Sequence, residues 1–150
     1  MKASFITILV SLFTITVTAQ TQHEEIERRA VERTVLNYIE NFFENNFDAM
    51  NKSLHPRLVK RGLNQKDITL SEDVPPKKLK ELMSTKSKFA LKRQNNTVES
   101  ISIFGNMASA ALITGYPTVR WVEYIHLVKL NGDWKIINIF WEFKRIKRQG

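Results

Sequence analysis

Gly115-Tyr116-Pro117-Thr118-Val119-Arg120-Trp121-Val122-Glu123-Tyr124-Ile125-His126-Leu127-Val128-Lys129-Leu130-Asn131-Gly132-Asp133-Trp134-Lys135-Ile136-Ile137-Asn138-Ile139-Phe140-Trp141 is the stretch that decides the fold. Two runs of β-branched, aromatic and aliphatic residues flank Asn131-Gly132. Asn-Gly suits a tight turn with positive φ at both central positions, so the pattern predicts a long β-hairpin. Both runs are apolar on both faces, and each face must therefore be covered. Helices would cover one side, and a partner subunit or a bound ligand the other.

Outward from the hairpin, the period alternates from Lys92 onward. Val98 to Phe104 predicts a strand, Gly105-Asn106 a tight turn, and Met107 to Thr114 a second strand. Further upstream the period is helical. Val31, Val35, Tyr38, Ile39 and Phe42 form one stripe of an amphipathic helix. Thr21 and Glu24 give it a capping-box start, and Asn45-Asn46 its end. A short second helix is expected from Asp48 to Leu54, closed by His55-Pro56, because proline disfavours helical geometry in the residue before it. Leu58 to Leu63 reads as a turn or edge segment and Ile68 to Leu70 as a short strand. Pro75-Pro76 opens a third helix to about Ser84, with Leu79, Leu82 and Met83 inward. Helices first and strands later predict an α+β domain, helices on one side of an antiparallel sheet.

Residues 1–19 read as an export signal rather than as part of the fold. Lys2 supplies the positive end, Phe5 to Val17 the apolar run, and Val17-Thr18-Ala19 a small-residue cleavage site. Serines and threonines break the run, which is shorter than the roughly 20 residues of a spanning helix. The expected mature chain is a single domain, residues 20–150, exported to the periplasm or the medium and without an integral membrane segment. Lys2 leaves with the signal, so 22 of the 23 basic side chains remain against 15 acidic ones, net +7. Residues 21–50 hold seven acidic and three basic side chains, so the basic excess lies in residues 51–150. A basic body suits an anionic partner or serves simply as a solvated surface, and export argues against nucleic acid. With no cysteine, stability in an oxidising compartment must come from packing.

Three groups of residues, Val35-Leu36-Asn37-Tyr38-Ile39-Glu40, Leu54-His55-Pro56-Arg57-Leu58-Val59-Lys60-Arg61-Gly62-Leu63, and Glu123 to Leu127 with Asn131 to Asn138, carry a resemblance. The chain resembles the nuclear-transport-factor-2-like (SnoaL-like) superfamily, and within it the small bacterial group called "putative lumazine-binding" proteins. The resemblance implies a cone: about three N-terminal helices packed on a curved antiparallel sheet enclosing a pocket, commonly dimerising through the sheet. That fold hosts isomerases, dehydratases, cyclases and pure binding modules, so function has to be argued from the site.

Which hairpin residues face the pocket depends on the turn. A two-residue turn pairs Leu130 with Asp133 and puts Tyr124 and His126 on the face of Ile139 and Trp141. A three-residue turn with Gly132 as a bulge puts Trp121, Glu123, Ile125 and Leu127 with Ile137, Ile139 and Trp141. The residues leave both open; the resemblance favours the second. Trp121, Trp141, Ile139, Tyr38 and Phe42 are then the expected ligand-binding side chains, with Arg57, Lys60 and Arg61 as a basic rim and the ligand aromatic or anionic. Val122, Tyr124, Val128, Trp134, Ile136 and Phe140 would form the outer face, a homodimer interface. Glu123 is the candidate acid or base, either desolvated between Trp121, Ile125 and Trp141, or at a strand end facing water or paired with Arg120 or Arg57. His55 is the second candidate, a proton carrier at the pocket mouth or a structural histidine at a helix end. The preferred reading is an exported binding module for a small molecule; the alternatives are a cofactor-free isomerase or dehydratase and a ligand-free structural dimer. The three histidines are scattered and cysteine is absent, so no metal site and no cofactor is expected.

Overall fold

A computed structural model describes residues 4–116 and 119–143, with side chains from Thr21 onward. Pro117, Thr118 and the basic run Lys144-Arg145-Ile146-Lys147-Arg148 lie outside the described residues. The elements are α1 (Ser4–Glu44), α2 (Phe47–Asn51), β1 (Leu54–Asn64), β2 (Thr69–Leu70), α3 (Pro76–Thr85), a 3-10 turn (Leu91–Arg93), β3 (Thr97–Phe104), β4 (Met107–Tyr116), β5 (Val119–Leu130) and β6 (Asp133–Phe143). The chain forms two compact units, residues 1–30 and residues 31–150. In the first, the helix carries an exposed ion pair between Arg29 and Glu25 one turn apart. Helix α1 runs through Thr21, so the expected capping box starts no helix in the intact chain. Once nucleated, a helix extends cheaply through the apolar run before it. Among the described residues no helix is long and apolar enough to cross a membrane.

The second unit holds a six-stranded sheet in the order β2-β1-β6-β5-β4-β3. Three helices pack on this curved sheet, an α+β fold of the nuclear-transport-factor-2-like cone type. Val31, Val35, Tyr38, Ile39 and Phe43 from α1 are buried against Leu112, Ile125, Ile136 and Ile139 from the sheet. Asn45 ends the helix in the left-handed region (φ 56), and Asn46 accepts a hydrogen bond from the Ala49 amide to cap α2. From α3, Leu79 and Met83 are buried, while Leu82, expected inward, is 48% exposed.

The segment after α2 departs most from expectation. Helix α2 stops at Asn51, and Leu54-His55-Pro56 opens strand β1 instead of closing a helix. Pro56 falls between Leu54 and Val59, where the pairing with β6 shifts, a place where a missing backbone donor breaks no regular ladder. Strand β1 then runs parallel to β6, with Lys60 beside Ile139 and Gly62 beside Trp141; the other named pairings are antiparallel.

The hairpin combines features of both registers. Asn131 (φ 52) and Gly132 (φ 90) form a two-residue turn pairing Leu130 with Asp133, not the three-residue bulged turn that the resemblance favoured. The slip comes later: Leu127 pairs with Ile136 and His126 with Asn138, so Ile137 is the extra residue of a bulge in β6. Beyond it Ile125 faces Ile139, and Glu123 faces Trp141. Trp121, Glu123, Ile125 and Leu127 thus share the inner side with Ile139 and Trp141, while Ile136 takes the inner place expected of Ile137. Trp134 and Ile136, expected on the outer face, are buried in the core, Trp134 at 4% exposure. An extra residue between them and Ile139 keeps both ends of β6 on the same face.

Candidate functional site

Strands β1, β5 and β6 bring three residues into one transverse row: Gly62 beside Trp141, and Trp141 beside Glu123. Lys60 lies two residues before Gly62, on the same side of its strand. The result is a buried ion pair. Lys60 Nζ donates to Glu123 Oε1, with both side chains almost wholly out of solvent. It also donates to the Tyr38 hydroxyl at 2.6 Å, and that hydroxyl donates to Glu123 Oε2 at 3.0 Å. Trp121 Nε1 donates to Glu123 Oε1 at 3.0 Å. A carboxylate at 0% exposure therefore has a cation and two neutral donors around it, which is what burying a charge requires. Burial first, and then the Glu123 carboxylate beside it, holds the Tyr38 hydroxyl well above its ordinary pKa, so Tyr38 stays a donor.

Over this network lies a cavity of about 260 Å³. Phe42, Tyr116, Trp121, Trp141 and Phe143 supply five aromatic rings to its wall, Val119 one aliphatic side chain, and Lys60 the single charged group. The rings brace one another: Trp141 meets Phe143 edge-on at 5.3 Å, and Trp121 stands against Tyr116 at 6.1 Å and Phe143 at 6.4 Å. Phe89 stacks flat on Tyr116 at 4.3 Å from behind. Phe143 is 49% exposed and marks the open side. Gly62 is what lets the Trp141 indole lie down here: a Cβ at that position would stand 2.5 Å from the ring.

Two more cations touch residues of the wall without lining the cavity, Arg120 from the outer face of β5. Lys86 Nζ sits 4.4 Å from the Phe42 ring centroid and 5.5 Å from that of Phe43, and burial lowers its amine to about 8. Arg120 Nη1 donates to the carbonyls of Tyr116 and Val119, two residues of the wall. Neither makes an ion pair among the described residues.

The structure divides the expected site residues. Phe42, Trp121 and Trp141 line the cavity. Tyr38 and Ile139 are fully buried beside it, Tyr38 tied to Lys60 and Glu123, Ile139 in the apolar core. His55 lies in β1, not at a helix end, and its Nδ1 accepts from the Arg57 amide at the surface. Arg57 is exposed and Arg61 pairs with Asp73, so neither forms a rim with Lys60. Glu123 pairs with Lys60 instead of with Arg57 or Arg120, and its two oxygens are taken up by Lys60, Trp121 and Tyr38. Tyr116, Val119 and Phe143 are lining residues that sequence reasoning missed, as was the inward direction of Lys60. Leu58-x-Lys60-x-Gly62 contained the signal: a lysine on the buried side of a strand calls for a buried carboxylate. Among the described residues no group of three or more acidic or histidine side chains could hold a metal ion.

A protein family described as "Putative lumazine-binding" matches residues 26–142, nearly the whole of the strand-bearing unit and its helices. The chain belongs to that family. Solved structures share its fold. An NTF2-like protein of unknown function from Shewanella baltica OS155 superposes with a TM-score of 0.70 at 18% identity, over 80% of this chain and 95% of that one. A second, from Silicibacter pomeroyi DSS-3, gives 0.69 at 12% identity, over 81% and 98%. A ketosteroid isomerase-like protein from Erwinia carotovora atroseptica gives 0.59 at 10% identity, over 79% and 96%. At such identities the likeness is one of fold. No curated protein matches the chain by sequence. Membership of this family supports a small-molecule-binding pocket protein.

Proposed function

We propose that this is an exported binding module whose cavity holds one small planar aromatic molecule, stacked between Trp121 and Trp141, in a domain that pairs with a second copy through its sheet. The observation that carries this reading is the cavity wall: five aromatic rings with a single charged group among them. Aromatic rings pair by offset stacking or edge-to-face contact at centroid distances of about 4.5–7 Å, so a flat ligand finds partners on several sides. A pocket that is mostly apolar with few polar groups to fix orientation is the usual form of a small-molecule site. Lys60 supplies that orienting group: two of its N–H donors go to Glu123 and Tyr38, leaving a third for a ligand acceptor. The family description, "Putative lumazine-binding", supports a small-molecule ligand. Nothing in the network frees a proton carrier: Glu123 spends its oxygens on Lys60, Trp121 and Tyr38, which favours binding over acid–base catalysis.

Native mass spectrometry of protein recovered from the exported fraction tests the reading. The expected spectrum shows a chain beginning at Gln20, a dimer, and an adduct of small-molecule mass released on collisional activation. A chain that retains Met1 would contradict export. A bare chain that also fails to take up any aromatic compound would contradict the binding reading.

A further inference from the structure

The charges at the cavity cancel. Among the described residues Lys60 is the single charged group on the wall, and its partner Glu123 lies fully buried beneath it. The pair therefore presents a ligand with no net charge. It does present a direction. Lys60 Nζ lies 5.4 Å from the Phe42 ring centroid and 5.9 Å from that of Trp141, within cation–π reach of two rings of the wall. Two of its N–H groups go to Glu123 and Tyr38, and the third has no oxygen acceptor among the described residues. Nearby acceptors, by contrast, are withdrawn. Tyr38 and Glu123 are fully buried and off the wall, and Arg120 takes the carbonyls of Tyr116 and Val119.

We propose that the cavity selects an uncharged aromatic carbonyl compound, whose ring stacks on Trp121 and Trp141 and whose carbonyl oxygen accepts the remaining N–H of Lys60. This rests on the reading of the cavity as an aromatic-ligand site and adds to it the ligand's charge and polar pattern. Each alternative leaves a group unsatisfied. A hydrocarbon would displace water from the ammonium and leave its third N–H unbonded among aromatic rings. A carboxylate would set a second anion against one ammonium, so one of the two negative charges would go unmatched between apolar walls. A cation would meet the Lys60 ammonium with no carboxylate to answer it, since the Glu123 oxygens are taken up by Lys60, Trp121 and Tyr38. A carbonyl oxygen completes the hydrogen bonds of Lys60 and adds no charge.

Calorimetric titration of the intact protein near pH 7 with three indoles of matched shape tests this: 3-acetylindole, indole-3-carboxylate and 3-isopropylindole. The ketone is expected to bind at least tenfold tighter than either of the others. If the hydrocarbon binds as tightly as the ketone, the Lys60 contact is wrong while the aromatic site stands. If the carboxylate binds as tightly as the ketone, selection for an uncharged ligand is wrong, and again the aromatic site stands. If none of the three binds, the aromatic-site reading itself fails and this inference with it. Two variants read the same point from the protein side. Glu123→Gln leaves the Lys60 charge unmatched, so the carboxylate should gain on the ketone tenfold or more. Lys60→Met combined with Glu123→Gln buries no unpaired charge and should bind ketone and hydrocarbon alike. A ketone preference kept in the double variant, or a carboxylate-to-ketone ratio unchanged in Glu123→Gln, would contradict the role of the pair.

Discussion

Lys60 on β1 and Glu123 on β5, separated in space by strand β6, form a buried ion pair although they stand 63 positions apart in the chain. Removing one member leaves the other charged and desolvated, a loss of about 3–5 kcal/mol for pairs of this kind. Lys60→Met and Glu123→Gln should each lower the stability measured by urea unfolding by that order. The double variant should recover a large part of the loss, since it buries no unpaired charge. Losses that simply add would mean the pair is not the unit described above.

Gly62 supports Trp141 from the neighbouring strand, its Cα facing Cε2 and Cζ2 of the indole at distances that exclude a methyl group. Gly62→Ala should therefore tilt the ring into the cavity, cost about 1–3 kcal/mol in overpacking, and weaken binding of an aromatic probe. A crystal structure of the variant with Trp141 unmoved would contradict this support.

Two groups set opposite trends with pH. Lys86 has its amine lowered to about 8, so between there and the ordinary lysine value near 10.4 the unfolded chain holds a proton that the folded one does not. Stability then rises with pH across that window. Tyr38 is raised, so above about 10 the unfolded chain loses a proton that the folded one keeps, and stability falls. Lys86→Met should gain most over the parent near pH 7 and least near the top of the rise. An equal difference at both ends, read from urea midpoints, would contradict the burial of this amine.

The outer sheet face carries Tyr124, 60% exposed, with Val122, Val128 and Phe140 half-buried around it. Apolar groups gathered on one strand surface favour a self-complementary pairing of two copies. Sedimentation at micromolar concentration should give a dimer, and Tyr124→Asp a folded monomer. A monomeric parent protein would remove the proposed interface.

Much of the fold could be read from local pattern. The α1 stripe, the Asn131-Gly132 turn and the paired strands β3 and β4 are set by residues close in sequence, where side-chain period and turn chemistry act directly. Strand β1 could not be read this way, because Pro56 imitates a helix stop and the strand's partner, β6, lies some eighty residues away. The β6 bulge was equally hidden: Ile136-Ile137-Asn138-Ile139 is apolar on both faces, so no alternation marks the residue that slips. Trp134 therefore lies inward, opposite to the face that plain alternation predicts. For the site, the aromatic members Phe42, Trp121 and Trp141 stand on well-patterned elements, and Glu123 is a visible oddity in an apolar strand. Its partner Lys60 was not, since only the parallel β1–β6 seam brings the two together.

The central claim is that Trp121 and Trp141 form the binding walls while Trp134 belongs to the core. The chain has three tryptophans and hence three indole N–H resonances. Titrating indole-3-carboxylate and its carboxamide into 15N-labelled protein reads all three at once. The account predicts that the Trp121 and Trp141 signals shift and saturate together with at least one of the two compounds, while Trp134 stays in place. Movement of Trp134 alone, or no movement of Trp121 and Trp141 with either compound, would contradict it.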